Sequence, residues 1–175
     1  FQYYPGYTGH IRFNGQEVRD IDRTALYRRV GYIAQKTVLF NDTLRNNICL
    51  REDFSDEQLA RAVENAGLTT WVKSLPDGLD TVISEGGKNL SGGQCQRIGI
   101  ARLALRQYDL VIADEITASL DPDTAQQVMQ NLLSLPCMAI VITHDVSNSM
   151  MGRFDKIYRV FSDGKTSECN KVRLL

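Results

Sequence analysis

Leu90-Ser91-Gly92-Gly93-Gln94 and, further along, Asp114-Glu115 at the end of an apolar run stand out as groups able to handle a phosphate and its metal. A Ser-Gly-Gly turn feeding a helix offers backbone N–H groups and a positive helix end to a phosphate oxygen, and glycines let the main chain come close. An acid at the end of a buried strand can hold Mg²⁺, usually through water, and a second acid beside it can orient or deprotonate an attacking water in phosphoryl transfer. Asp114 suits the first role and Glu115 the second. Each group alone has a plainer reading: a capped loop, a strand exit into solvent, and, for His144 and Gln35, ordinary hydrogen-bonded side chains. Their weight comes from order and from shared placement at strand ends. No G-x-x-x-x-G-K-[ST] loop occurs in the 175 residues, so the expectation is half of a phosphate-handling site, with its other half upstream.

These groups need elements that deliver them to one place. His10 to Phe13 and Gln16 to Val18 flank Asn14-Gly15, a pair that favours a tight hairpin turn with φ > 0 at both positions. Asp22 is placed to cap a short helix through Arg29, and Val30 to Ala34 then reads as a buried strand that leaves Gln35 at its exit. From Asn41 to about Leu75 the pattern is helical, with Ser55 and Gln58 spaced as a capping box and Pro76-Asp77-Gly78 as its stop. Ser91 is the expected N-cap of the next helix, whose Ile98, Ala101 and Leu105 form one apolar stripe while Arg97 and Arg102 face elsewhere.

Leu110 to Ala113 has the form of a strand buried on both faces of a parallel sheet. Asp121-Pro122 starts a helix that Pro136 stops, and Met138 to Ile142 reads as a second buried strand ending at Thr143-His144. A last hairpin is expected through Lys156 to Val160, turning at Asp163-Gly164. Gln35, Asp114-Glu115 and His144 then share the carboxyl edge of a parallel sheet, where open α/β sheets bind ligands.

Composition is that of an ordinary globular chain, 43% hydrophobic and 23% charged, which removes disorder as the default. A net charge of −1 with no basic stripe gives no reason to expect nucleic acid as a partner. The longest apolar run, Cys137 to Ile142, is far short of the roughly 20 residues that cross a bilayer. Cys49, Cys95, Cys137 and Cys169 form no C-x-x-C pair and read as free thiols. Phe1-Gln2-Tyr3-Tyr4 has no signal-peptide character, and the chain reads as a piece of something longer.

With these residues in view, the chain resembles the nucleotide-binding domain of an ATP-binding cassette (ABC) protein. Leu90 to Gln94 matches that family's signature motif, and Leu110 to Glu115 its Walker B strand. Gln35 resembles the Q-loop glutamine, Ser119-Leu120-Asp121 the D-loop, and His144 the switch histidine. Leu39 to Ile48 and Ser84-Glu85-Gly86-Gly87 resemble exporters more than importers. Cys95 stands where exporters usually carry Arg, and Ser84 alters the usual Gly-Glu-Arg-Gly form of the X-loop. Phe1 to Gly9 resembles the stretch after the Walker A helix.

The resemblance implies an α/β fold: a P-loop NTPase-like, mostly parallel sheet core with an inserted helical subdomain, here without its Walker A strand and loop. It divides the chain into 1–40, the core up to the Q-loop; 41–107, the helical subdomain with the signature helix; and 108–175, the core with Walker B, D-loop and switch histidine. It implies ATP and Mg²⁺ as cofactors, Glu115, His144 and Gln35 as catalytic residues, and Asp114 with Gln35 at the metal. Ser91, Gly92, Gly93 and Gln94 would touch nucleotide held mainly by a second nucleotide-binding domain, with Asp121 bridging that seam. Further partners implied are transmembrane domains docking near the Q-loop and Glu85, which would hold the domain at the cytoplasmic face of the cell membrane. The parent would be an ATPase powering export, and these residues alone an inactive fragment. Two other readings stay open: a non-catalytic, self-associating interaction module, and a chromosome-maintenance ATPase, disfavoured because no long arm separates Gln35 from Leu90.

Overall fold

The computed structural model describes residues 6–118, 120–144, 151–161 and 165–169, Cys169 by its backbone alone. It divides into two compact units, 1–142 and 143–175. Phe1 to Pro5, Ser119 of the D-loop stretch and the Asp163-Gly164 turn lie outside the described residues.

The first unit opens with the hairpin β1 (Arg12–Phe13) and β2 (Gln16–Glu17), closed by Asn14 at φ 49° and Gly15 at φ 82°, the left-handed pair that such a turn requires. Glu17 accepts hydrogen bonds from the Tyr7 hydroxyl, the Ile11 N–H and Arg19, and these hold its carboxyl down at about 2. Asp22 caps α1 (Arg23–Arg29) by accepting from Ala25 N–H at 2.9 Å, and β3 (Val30–Ile33) follows directly. The helical stretch contains α2 (Leu44–Cys49), α3 (Asp56–Asn65) and α4 (Thr69–Ser74), with both halves of the Ser55–Gln58 capping box formed. Sequence patterning missed a two-stranded antiparallel clip, β4 (Asp42–Thr43) with β5 (Val82–Ile83), because two-residue strands carry no period.

Helix α5 (Gly92–Ala104) is the centre of the core: Ile98, Ile100 and Ala101 are fully buried, and the helix contacts α2, α3, β3 and α6 (Pro122–Leu133). Arg102, expected to face away from the core, instead lies largely buried and donates to the Asn47 carbonyl at 2.6 Å. Burial lowers its pKa to about 10, and the bond joins α5 to α2. Asn47, fully buried, uses its amide to hold the Phe40, Asp42 and Thr43 backbone, so the turn into α2 is fixed from inside.

Three parallel strands carry the site: β3, β6 (Leu110–Asp114) and β7 (Met138–Ile142), in the order β3-β6-β7. Gly31, Val111 and Ala139 are in register, as are Ile33, Ala113 and Val141, and this row faces the helices. At Gly31 a Cβ would stand 2.7 Å from Leu103 Cδ2, so α5 seats directly on the strand there. The second unit contains the antiparallel hairpin β8 (Ile157–Val160) and β9 (Thr166–Cys169).

The other sheet face corrects the expectation of strands buried on both sides. Met138, Ile140 and Ile142 are 68%, 47% and 48% exposed, and Tyr32, in register with Ile140 across β6, is 49% exposed. An alternating apolar strand reads the same in sequence whether its second face is covered or open. Parallel sheets are ordinarily covered on both faces, so this is an unpartnered apolar surface among the described residues. Full burial of each such side chain is worth about 1.5–3 kcal/mol, enough for several together to offset much of the cost of association. The 175-residue chain alone is therefore expected to sediment above its monomer mass at micromolar concentration, and Met138→Lys with Ile140→Lys to shift it towards monomer. A clean monomer for the unsubstituted chain would contradict this.

Candidate functional site

The first group of candidate residues lies at adjoining helix N-termini. Ser91 caps α5: its hydroxyl accepts from Gln94 N–H at 3.2 Å, while the Gln94 side chain accepts from Ser91 N–H at 2.8 Å. Ser91 and Gln94 thus fix the helix end, leaving the N–H groups of Gly92 and Gly93 among the first-turn donors that an α-helix cannot itself satisfy. Gly93 is buried, and a Cβ there would stand 2.5 Å from Thr124 Cγ2, so its glycine is required by packing against α6. Thr124 N–H in turn donates to Asp121 Oδ1 at 3.0 Å, making Asp121 the N-cap of α6 with Pro122 in its first turn. That bond and the Thr124 hydroxyl hold the Asp121 carboxyl below its ordinary range.

The second group lies at the carboxyl edge of β3 and β6. Asp114 ends β6 in register with Ile142, on the open sheet face, and accepts from the Tyr32 hydroxyl at 3.1 Å. Partial burial, then the Asp114 carboxylate, raises the Tyr32 pKa and keeps that hydroxyl a donor. Glu115 follows at φ 48°, a left-handed conformation that costs a non-glycine residue about 1–2 kcal/mol. It is held there by its N–H donating to the Ile142 carbonyl at 2.9 Å and its carbonyl accepting from Ala118 N–H at 3.1 Å. Strain of this kind, over-determined by neighbours, is characteristic of functional positions. Gln35, two residues past β3, is exposed, and its backbone carbonyl accepts from the Gln96 side-chain amide. His144 is exposed and belongs to the second unit, within which alone it is described.

The ABC transporter family model matches residues 2–118. The chain belongs to the ABC transporter family. It is 41% identical over 128 residues to an ATP-dependent lipid A-core flippase of Desulfotalea psychrophila, covering 73% of this chain and 22% of that protein. It is 38% identical over 136 residues to the mitochondrial iron-sulfur clusters transporter atm1 of Aspergillus fumigatus, covering 77% and 19%. A solved bacterial Atm1-family ABC exporter with ATP bound matches with a TM-score of 0.80 at 31% identity, over 90% of this chain and 28% of that one. The chain thus spans about a fifth of the length of these two relatives.

Within this ABC domain, the described residues contain no cluster of three or more His, Cys, Asp or Glu that would cage a metal. Mg²⁺ is ordinarily bound by one or two carboxylates together with phosphate and water, and the Asp114 carboxylate and the Gln35 amide are oxygen donors of that type. The X-loop stretch packs on the signature helix: at Gly87, φ 68°, a Cβ would stand 2.6 Å from Leu39 Cδ1 and 3.1 Å from Cys95 Sγ. Cys95 is half-buried in that contact, and burial raises its thiol pKa.

Sequence reasoning missed Tyr32, Thr124 and Gln96. Pairing residue 32 with residue 112 would have put the tyrosine next to Asp114, but strand register is not a local signal. The Glu115 backbone gives a direct test. Glu115→Gly is expected to leave stability unchanged or raise it by up to about 1 kcal/mol, and Glu115→Val to lower it by about 1–2 kcal/mol, in urea unfolding. Equal losses for both would contradict a strained Glu115.

Proposed function

We propose that this chain is the nucleotide-handling part of an ATPase that powers export, acting with ATP and Mg²⁺ in a pair of such domains. The observation that carries the reading is Glu115, held in a left-handed turn by the Ile142 carbonyl directly after Asp114, at the same sheet edge as Gln35. In this proposal Asp114, with Gln35, would hold Mg²⁺, whose bound charge would stabilise the terminal phosphates. Glu115 accepts a proton from water as the water oxygen bonds to the γ-phosphorus and the bond to the β–γ bridging oxygen breaks, giving ADP and phosphate. Gln35 orients that water, and His144, assigned from the family pattern, stands by the γ-phosphate of the same subunit. Ser91, Gly92, Gly93 and Gln94 close over nucleotide bound mainly to the partner domain, and Asp121 bridges the seam.

Export requires transmembrane domains, and one surface of the first unit suits their docking. Val38, Phe40 and Leu50 are 66%, 54% and 41% exposed, and Phe40, Asp42, Asn46, Leu50 and Arg51 line a shallow pocket of about 340 Å³. The Gly86 N–H donates to the Leu39 carbonyl at 3.1 Å, which joins this surface to the exposed Glu85 stretch. No helix among the described residues is long and apolar enough to cross a membrane. With the transmembrane domains in other segments, as the export reading requires, the domain is proposed to lie at the cytoplasmic face of a membrane, with 1–40 and 108–175 as its ATPase core and 41–107 as its helical subdomain. The 175 residues alone, having no G-x-x-x-x-G-K-[ST] loop, are proposed to be inactive. The open sheet face favours a second reading of the isolated chain as a self-associating module.

Glu115→Gln in the full-length protein is expected to reduce steady-state ATP hydrolysis by about a hundredfold or more while ATP still binds, because the water loses its base. Unchanged turnover would remove Glu115 from the mechanism.

A further inference from the structure

Gln96 lies on the signature helix, is only 5% exposed, and spends both ends of its carboxamide on the segment that carries Gln35. Its Nε2 donates to the Gln35 backbone carbonyl, and its Oε1 accepts from the Thr37 hydroxyl at 3.0 Å. The Gln35 carbonyl, which can only accept, settles which end of the amide faces it: the nitrogen meets the carbonyl, and the oxygen is left for the Thr37 hydroxyl. One turn later the same helix face makes a second close approach. At Gly99 a Cβ would stand 2.7 Å from Ile33 Cδ1 and 2.9 Å from Thr37 Oγ1, so residues 33–37 run directly along α5.

We propose that Gln96 is the positioning residue through which the signature helix sets Gln35. The inference rests on the ATPase reading for the role of Gln35 itself. From the Ser91 cap to Gln96 the helix advances about 7.5 Å at 1.5 Å per residue, a rigid strut between the turn at Ser91 and the backbone of Gln35. Side-chain packing alone would fix the distance between the helix and the loop. The two bonds also fix the rotation of the Gln35 peptide unit, because the buried Gln96 carboxamide loses its partners if that unit turns. A displacement of the α5 N-terminus therefore carries the Gln35 main chain with it.

The test uses the full-length protein with Gln96→Met, which keeps the volume and removes both bonds, alongside Thr37→Val, Thr37→Ser and the Glu115→Gln control. Without nucleotide, Gln96→Met is expected to raise amide hydrogen exchange in residues 34–39 by about tenfold, with α3 unchanged. In steady-state hydrolysis it should lower kcat about tenfold with KM for ATP within about twofold, and raise the Mg²⁺ concentration needed for half-maximal rate. Thr37→Val should shift the same quantities less, and Thr37→Ser, which keeps the hydroxyl, should match the unsubstituted protein.

Wild-type exchange in 34–39 and wild-type kcat for Gln96→Met would overturn the proposal. So would equal defects in Thr37→Val and Thr37→Ser, a pair that also decides the question if Gln96→Met does not fold. If Glu115→Gln keeps full turnover, the ATPase reading fails instead, and the nucleotide-free exchange still decides whether Gln96 holds the loop.

Discussion

The structure depends on the parallel pairing of β6 between β3 and β7. That register places the exit of β3 beside the exit of β6, and it continues one residue past β6 because Glu115 N–H reaches the Ile142 carbonyl at 2.9 Å. The bond bends the chain into a left-handed residue at the position where the acid pair needs to diverge: Asp114 stays on the open sheet face, held by Tyr32, while Glu115 enters the turn that leads to α6. A glycine there would adopt the same backbone at less cost. The side chain that keeps the carboxylate is retained against a local energetic preference, which is the physical ground for assigning it chemistry.

Helix α5 joins the two groups of candidate residues. Its N-terminus is closed by the Ser91–Gln94 capping box and butts against the first turn of α6 at Gly93 and Thr124. One and two turns further in, Gln96 and Gly99 lie on the Gln35 segment, and Arg102 ties the far end to Asn47 in α2. Each contact is between a small residue and a close neighbour or between a buried polar group and the backbone. These are the two kinds of contact that couple positions tightly, because close packing resists overlap and a buried polar group loses its partner when it moves away. The exposed apolar face of β7 is the opposite case, a surface with no such neighbour among the described residues.

Much of this was legible in the residues. Asn14-Gly15 forms its turn, and Asp22, Ser55, Ser91 and Asp121 each cap the helix that follows, because capping is decided by a few adjacent residues. The signature and strand-end acids place the chain in its family for the same reason: they are contiguous strings. What escaped depends on partners distant in sequence. The left-handed Glu115 is set by a carbonyl from β7, Tyr32 meets Asp114 through strand register, and Gln96 finds Gln35 and Thr37 across the core. The open face of β7 escaped because an apolar strand does not say whether a second layer covers it.

Everything proposed for this site requires Asp114, presented at this sheet edge, to hold the metal of a bound nucleotide, directly or through its water. Asp114→Asn in the full-length protein keeps the shape and removes the charge, and a neutral amide oxygen holds Mg²⁺ and its bound water less strongly than a carboxylate. Steady-state ATP hydrolysis is expected to fall by about tenfold or more, and the Mg²⁺ concentration giving half the maximal rate to rise by about tenfold. A wild-type rate with an unchanged Mg²⁺ requirement would show that Asp114 does not hold the metal.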